Sequence, residues 1–206
     1  MPSEPAVKRA IVFFDGQNLF HAAREAFGYT YPNYDVQALA ECVCGNQGWQ
    51  PEEVRFYTGV PSAQDNVRWN TFWSRKLSAM GKVGVHVFSR TLKYRNQPIA
   101  LPDGTQRTVL VGQEKGVDVR IALDMVRAAR ENRCDVLAVF SQDQDLSEVA
   151  EDIRVIARQQ NRWLKIASVF PVSPTIRNLR GINKTDWVRL TRQVYDSCID
   201  TRDYRL

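Results

Sequence analysis

Short blocks of consecutive apolar residues alternate along the chain with segments in which apolar residues recur every three or four positions. The blocks are typical of buried strands, and the recurrence is typical of helices that bury one face. The predicted strands are residues 10–14, 54–60, 83–89, 135–140 and 163–170, and the predicted helices are residues 18–27, 35–44, 65–80, 116–131 and 146–160. This alternation predicts an α/β fold: a doubly wound, mainly parallel sheet with helices on both faces.

One segment departs from the alternation. Residues 99–111, IALPDGTQRTVLV, predict a hairpin with Asp103 and Gly104 in its turn. After Pro171 the pattern is too weak to predict further elements. The length suits one domain, so we expect a single domain over residues 1–206, with a core at about 8–170 and a C-terminal extension at about 171–206.

The helix predicted at 65–80 carries Trp69 and Trp73 on its apolar face. Packing in the core or at an interface is the simpler interpretation of these two rings, and stacking on nucleic-acid bases is the less favoured one. A protein-interaction module with both rings in a homodimer face is a further alternative.

Composition narrows the class of protein. The chain is 44% apolar and 25% charged, which is ordinary for a globular protein. No apolar run approaches the length of a membrane span, and the first residues do not resemble a secretory signal. We therefore expect a cytoplasmic protein without a membrane partner. Four cysteines show no CxxC spacing and only two histidines accompany them, which argues against a zinc site.

The charge balance favours an acidic partner. The net charge is +5 and the pI is about 9.1, so nucleic acid is the first candidate. Among several loose basic clusters, the one after the last predicted strand is the first candidate for phosphate contacts. Its members are Arg177, Arg180 and Lys184.

Carboxylates occur where predicted strands end. Asp15 follows the first strand in IVFFDGQNLF, and Asp143 and Asp145 follow the strand at 135–140 in FSQDQDL; Asp118 begins the helix before that strand. Ligands bind at the carboxyl ends of strands in an open parallel sheet, so we expect these acids to share a site. Taken alone, each of these acids also has a purely structural interpretation, because Asp caps helices, is favoured in their first turn and is common in turns.

Carboxylates that lie close together repel one another unless a cation compensates them. Mg²⁺ and Mn²⁺ prefer such oxygen ligands, and they polarise phosphoryl oxygens and activate water, so hydrolysis of a phosphodiester is the natural reaction. Other phosphate chemistries lack their motifs: Gln17 stands where an aspartyl phosphatase has its second Asp, and neither a P-loop nor a GxGxxG or GxSxG motif is present. Metal-assisted hydrolysis and plain binding remain.

The segments FFDGQNL, EKGVDVRIALDM and SQDQDLSEVAE together resemble the NYN domain, the branch of the PIN-like nucleases that includes the LabA-type proteins of bacteria. The resemblance spans residues 11 to about 170. It implies a PIN-like Rossmannoid fold and a ribonuclease that depends on Mg²⁺ or Mn²⁺. It also implies that Asp15, Asp118 and Asp143 are catalytic metal ligands, and that Asp145 binds metal directly or through water.

Three further residues have two interpretations each. By the resemblance, Asn18 would orient Asp15 or a metal-bound water. Lys115 would contact a phosphate near the metal or lie exposed before the helix. Ser141 would hold a metal-bound water or cap the following helix, and capping is the simpler expectation.

Other positions qualify the resemblance. Asp124 matches a frequent acid of the family, but it lies six residues after Asp118, about 120° around a helix, so we place it outside the direct ligands. Gln142 and Gln144 replace the small residues of the family pattern, and either side chain could crowd the site or contact substrate.

The leading expectation is an endoribonuclease that acts on single-stranded or structured RNA, with DNA as a further substrate left open. A metal-activated water would leave 5′-phosphate and 3′-hydroxyl ends. The alternative is a catalytically weak or inactive nucleic-acid-binding regulatory protein that has lost turnover through Gln142 and Gln144.

Overall fold

The computed structural model describes residues 2–100 and 104–205. Its strands are β1 (Lys8–Asp15), β2 (Trp49–Val60), β3 (His86–Thr91), β4 (Lys93–Ala100), β5 (Gln106–Gln113), β6 (Val136–Phe140), β7 (Lys165–Pro171) and β8 (Asp186–Leu190). Its helices are α1 (Gly16–Phe27), α2 (Val36–Gln47), α3 (Val67–Lys82), α4 (Val117–Arg130), α5 (Ser147–Gln159) and α6 (Arg192–Asp196), and a 3₁₀ turn at Gln144–Leu146 precedes α5.

Within the described residues, six strands form a sheet in the order β3-β2-β1-β6-β7-β8, and every neighbouring pair is parallel. The α/β fold with a mainly parallel sheet is thereby confirmed. The chain builds the sheet outward from β1 in one direction and then returns to place β6 on its other side. The order therefore reverses between β1 and β6, and ligands of such sheets bind at the carboxyl ends of these strands.

Apolar side chains cover both faces of the sheet. Val12 and Phe14 of β1 join the core beneath α1, α2 and α3, whereas Ile11 and Phe13 join the core beneath α4 and α5. A central parallel strand buries both of its faces, which explains its continuous apolar run. The run ends at Asp15 because the chain there leaves the sheet for α1.

The hairpin is longer than the sequence predicts. The strands β4 and β5 pair antiparallel from Lys93–Gln113 to Ala100–Gln106, apart from the main sheet. Most of their side chains are exposed, which leaves little apolar pattern to mark their ends. Asp103, predicted in the turn, lies outside the described residues, and Gly104 has a left-handed φ of 82°.

Two strand assignments need correction. The predicted strand at 83–89 corresponds to His86–Thr91, because Gly84 adopts a left-handed φ of 90° in the turn that ends α3. The strand at 163–170 is not the last, since β8 pairs with β7 at the sheet edge. Most β8 side chains are exposed, so this edge strand has no buried apolar run.

The two tryptophans of α3 are part of the core packing. Trp73 is 6% exposed and lies against Phe56, with ring centroids 5.9 Å apart. Trp69 is half-buried and meets Phe72 edge to face at 5.2 Å. The burial of Trp73 removes it from any dimer face. None of the described helices combines the length and the apolar character needed to cross a bilayer.

Candidate acidic site

An open cleft of about 530 Å³ lies at the carboxyl ends of β1 and β6, beside the first turns of α1 and α4. Four carboxylates line it: Asp15, Glu114, Asp118 and Asp143. We call this region the acidic cleft. It occupies the place where the strand order reverses, and it brings together three of the four acids that the sequence predicts for one site.

Asp15 is the most constrained of these acids. It ends β1 and caps α1, where its Oδ1 accepts the backbone N–H of Asn18 at 3.1 Å. Its Oδ2 accepts the hydroxyl of Ser141 at 3.0 Å. The residue is only 7% exposed, and burial raises the pKa of its carboxyl to about 6, although the two hydrogen bonds oppose that rise. The charges of Asp143 and Asp118 raise the pKa further.

The other two predicted acids reach the cleft from separate elements. Asp143 follows β6 and caps the 3₁₀ turn, where its Oδ1 accepts the N–H of Asp145 at 3.0 Å. Asp118 lies in the first turn of α4. Its carboxylate accepts no hydrogen bond from any described residue, so it is free to bind a ligand in the cleft.

Glu114 is the acid that the sequence prediction missed. It lies between β5 and α4, and its Oε2 accepts the N–H of Gly59. Burial raises the pKa of its carboxyl to about 7, and the charges of Asp15 and Asp118 add to the rise. Glu114 follows a hairpin strand and not a strand of the main sheet, so the pattern of acids at the ends of the main-sheet strands does not predict it.

The raised pKa of Glu114 gives an expected pH dependence. At pH 8 this carboxyl is ionised in both folded and unfolded protein, and its burial destabilises the fold. As the pH falls through about 7, only the folded state takes up a proton, so the free energy of unfolding rises until about pH 4.5. We expect the metal-free protein to gain about 1–3 kcal/mol from this group between pH 8 and pH 5.

Thermal melts in EDTA at several pH values, on wild type and Glu114→Gln, measure this effect. Gln keeps an oxygen for the N–H of Gly59 and removes the titration, so the variant should lose part of the gain on acidification. The difference between the two proteins cancels groups that titrate independently of Glu114, such as His21, whose pKa burial lowers. It retains the part of the Asp15 titration that depends on the charge of Glu114. Parallel pH profiles would show that Glu114 carries no such penalty.

The predicted supporting residues hold the acids in place. Ser141 does not cap α5; its hydroxyl donates to Asp15 and accepts the N–H of Asp143 at 3.1 Å. The Asn18 side chain does not orient Asp15; its Oδ1 accepts the N–H of Gln142 at 2.9 Å, while its backbone N–H holds Asp15. These bonds tie the end of β1 to the end of β6.

Gln142 and Gln144 turn away from the acidic cleft. Gln142 Nε2 donates to the carbonyl of Arg180 at 2.8 Å, and Gln144 Nε2 donates to that of Gly181 at 3.1 Å. Gln144 Oε1 also accepts the N–H of Asn183 at 3.1 Å. Both side chains anchor the loop before β8, so the expected crowding of the site does not occur.

Comparison with known protein families matches residues 9–159 to the NYN domain. The match covers well over half of the chain and includes all four acids of the cleft. The chain belongs to the NYN family. This is a family of PIN-like nucleases, so the membership indicates nuclease activity in general and nucleic acid as the substrate class.

A comparison with solved structures supports the fold of this NYN protein. It is similar to a protein of unknown function from Vibrio parahaemolyticus, with 18% sequence identity and a TM-score of 0.53. The similarity covers 91% of this chain and 96% of that one. At this identity the likeness shows the fold alone. No curated protein matches the chain significantly.

Two acids of the NYN motifs lie outside the acidic cleft. Asp145 is exposed, and the structure does not place it among the cleft-lining residues. Asp124 is buried, where its Oδ2 accepts the hydroxyl of Tyr57 at 2.9 Å and its carboxylate pairs with Arg120 at 2.9 Å and with Arg55 at 3.3 Å. These contacts give Asp124 a structural role in joining α4 to β2.

The predicted basic residues differ in their surroundings. Lys115 is exposed at the rim of the acidic cleft. Arg177 and Arg180 are exposed in the loop before β8. Lys184 pairs with Glu151 at 3.6 Å on α5, so its charge is already partly compensated. Arg177 and Arg180 remain the better candidates for phosphate contacts.

Nucleases related to the NYN family usually use divalent metal ions, and the donor set of the cleft fits a hard one, because it consists of oxygen atoms. Among residues 2–100 and 104–205, no three His, Cys, Asp or Glu side chains lie close enough together to hold an ion directly. Mg²⁺ commonly binds through one or two carboxylates and retains several waters. A cation bound in the cleft would therefore be held partly through water molecules.

Proposed function

We propose that this NYN protein is an endoribonuclease that depends on Mg²⁺ or Mn²⁺ and hydrolyses RNA phosphodiester bonds in the acidic cleft. The observation that carries the proposal is the convergence of Asp15, Glu114, Asp118 and Asp143 in one open cleft. Burial raises the pKa values of Asp15 and Glu114, and the charges of neighbouring carboxylates add to the rise. Such repulsion disfavours the empty fold and favours a bound cation.

Asp15, Asp118 and Asp143 would hold the ion, one or two of them directly and the rest through water molecules. When bound, it would neutralise charge on the phosphoryl oxygens and lower the pKa of a water molecule. The fixed position of Asp15 supports this role, because its two oxygens are already oriented by Asn18 and Ser141. A ligand that is oriented before binding loses little entropy on binding.

Glu114 and Lys115 have complementary roles in the proposal. Glu114 lines the cleft beside the three acids, and its carboxylate would take the proton of the attacking water. Lys115 is the next residue and lies exposed at the rim. Its ammonium group would bind a phosphate of the RNA strand and position it over the acids.

The alternative of an inactive nucleic-acid-binding protein rested on Gln142 and Gln144. Their amides hold the loop before β8, and neither lines the acidic cleft. This observation favours turnover over loss of activity. We also propose that the protein acts in the cytoplasm, as the sequence predicts.

Incubation of purified protein with end-labelled RNA tests the function directly. Single-stranded and hairpin RNAs are incubated with Mg²⁺, Mn²⁺ or EDTA, and the products are resolved on a denaturing gel. We expect cleavage with either cation, none in EDTA, and products with 5′-phosphate and 3′-hydroxyl ends. Cleavage that persists in EDTA, or products with 2′,3′-cyclic phosphates, would contradict a metal-activated water. Binding without cleavage under all conditions would favour the regulatory alternative.

A further inference from the structure

A second cavity, of about 270 Å³, adjoins the acidic cleft. It lies between the first turns of α1 and α3 and the base of the β4–β5 hairpin. Four aromatic residues contribute to its wall, and we call it the aromatic pocket: Phe20, Trp69, Trp73 and Tyr94. Trp73 is mostly buried in the core, whereas the other three rings are half-buried and border the open space.

The aromatic pocket is continuous with the acidic cleft. Gln17 and His21, on the first two turns of α1, line both spaces. Within the part of the chain that the structure describes, nothing hydrogen-bonds the side-chain amide of Gln17. An amide offers both donors and an acceptor, which is the combination that pairs with the edge of a nucleobase. This free amide stands where the two spaces meet.

The hairpin is fitted closely to the sheet at this point. Gly112 is opposite Tyr94 in the hairpin, and a Cβ on Gly112 would lie 3.1 Å from both the Tyr94 ring and Leu92. A Cβ on Gly59 of β2 would collide with Leu92 and with the Glu114 carboxylate. The two glycines let the hairpin base, with Tyr94, approach the end of the sheet.

We propose that the aromatic pocket receives one unpaired nucleobase of the strand whose phosphate lies in the acidic cleft. Tyr94 and Phe20 supply faces for stacking, and Gln17 pairs with the base edge. The volume suits one base and is smaller than most pockets for drug-sized ligands. Single-stranded RNA is recognised in general by stacking on aromatic rings and by hydrogen bonds to exposed base edges. This inference rests on the proposed function.

Fluorescence anisotropy with a labelled single-stranded oligoribonucleotide in EDTA, which prevents cleavage, measures the contribution of the pocket. Tyr94→Ala should weaken binding about 10-fold, because stacking on one aromatic ring is lost. Tyr94→Phe retains the ring and should bind like wild type. Leu110→Ala is the matched control: Leu110 is on the same hairpin, is 61% exposed and does not line the pocket. Its affinity should not change.

A set of oligonucleotides with a single abasic ribose, moved along the strand, identifies the base itself. Wild type should lose affinity when one particular base is absent, and Tyr94→Ala should lose nothing more at that position. Equal binding by wild type and Tyr94→Ala, or indifference of wild type to every abasic site, would overturn the base pocket while leaving divalent-dependent cleavage intact. Base-dependent binding without cleavage would retain the pocket and reject the nuclease. Absence of RNA binding by wild type in EDTA, together with absence of cleavage in Mg²⁺ and in Mn²⁺, would overturn both.

Discussion

Asp118→Asn is expected to reduce divalent-dependent RNA cleavage at least about 100-fold while the far-UV circular dichroism spectrum stays unchanged. Replacing residues that act on a metal only indirectly commonly costs 10–100-fold in metal affinity or activity, and a carboxylate that binds the ion directly or through one water should cost at least as much. Among the cleft acids, Asp118 is the one whose replacement should disturb the fold least. It lies on the first turn of α4, and its carboxylate forms no hydrogen bond with a described residue. The exchange removes a charge and leaves the side-chain shape.

Two further variants serve as comparisons for Asp118→Asn. Asp152→Asn makes the same exchange at an exposed position of α5, outside the acidic cleft, and should retain wild-type cleavage. Asp145→Asn tests the family expectation, since this acid is exposed and does not line the cleft. A loss with Asp145→Asn equal to that with Asp118→Asn would return Asp145 to the metal site. Full activity of Asp118→Asn would place the catalytic centre elsewhere.

Asp15→Asn is expected to stabilise the metal-free protein. Burial and the nearby acids raise the pKa of Asp15 to about 6, so at pH 8 its ionisation costs folding free energy that the neutral amide does not. A gain of about 1–3 kcal/mol in the free energy of unfolding follows from the pKa difference. Each kcal/mol would raise the melting temperature by about 2–4 °C for a domain of this size. Asn also caps helices well, so α1 keeps its N-cap.

Thermal melts of wild type and Asp15→Asn, with EDTA and with Mn²⁺, distinguish a metal-binding role of Asp15 from a purely structural role in the turn. A ligand that binds only the folded state stabilises according to its occupancy, so the variant should respond less to Mn²⁺ than wild type does. Asp35→Asn is the control, because Asp35 also caps a helix but its carboxylate pairs with the guanidinium of Arg202 at 3.1 Å. It should be neutral or destabilising. An unchanged Mn²⁺ response of Asp15→Asn would reject the metal-site interpretation.

The central strands and the helices beside them were predictable because each buries a continuous run or a periodic face. The run at 10–14 marks β1 closely, and the recurrence of Trp69, Phe72 and Trp73 marks α3. Exposed elements were less predictable. The residues of β8 and of the hairpin carry few buried side chains, so hydrogen bonding to a neighbouring strand, and not their own apolar pattern, determines that they are extended.

The sequence alone determined the central strands of the sheet, the acids at the ends of β1 and β6, and the family motifs, because local patterns encode burial and chain reversal. Only the tertiary structure decided which acids meet. Glu114 joins Asp15 because the hairpin brings it against Gly59, and Asp145 stays outside because the 3₁₀ turn at Gln144–Leu146 leaves it exposed. Gln142 and Gln144, which from the sequence could have crowded the site, instead hold a loop that lies almost forty residues later in the chain. Contacts between such distant segments depend on how the elements are arranged in space, which no short stretch of sequence encodes.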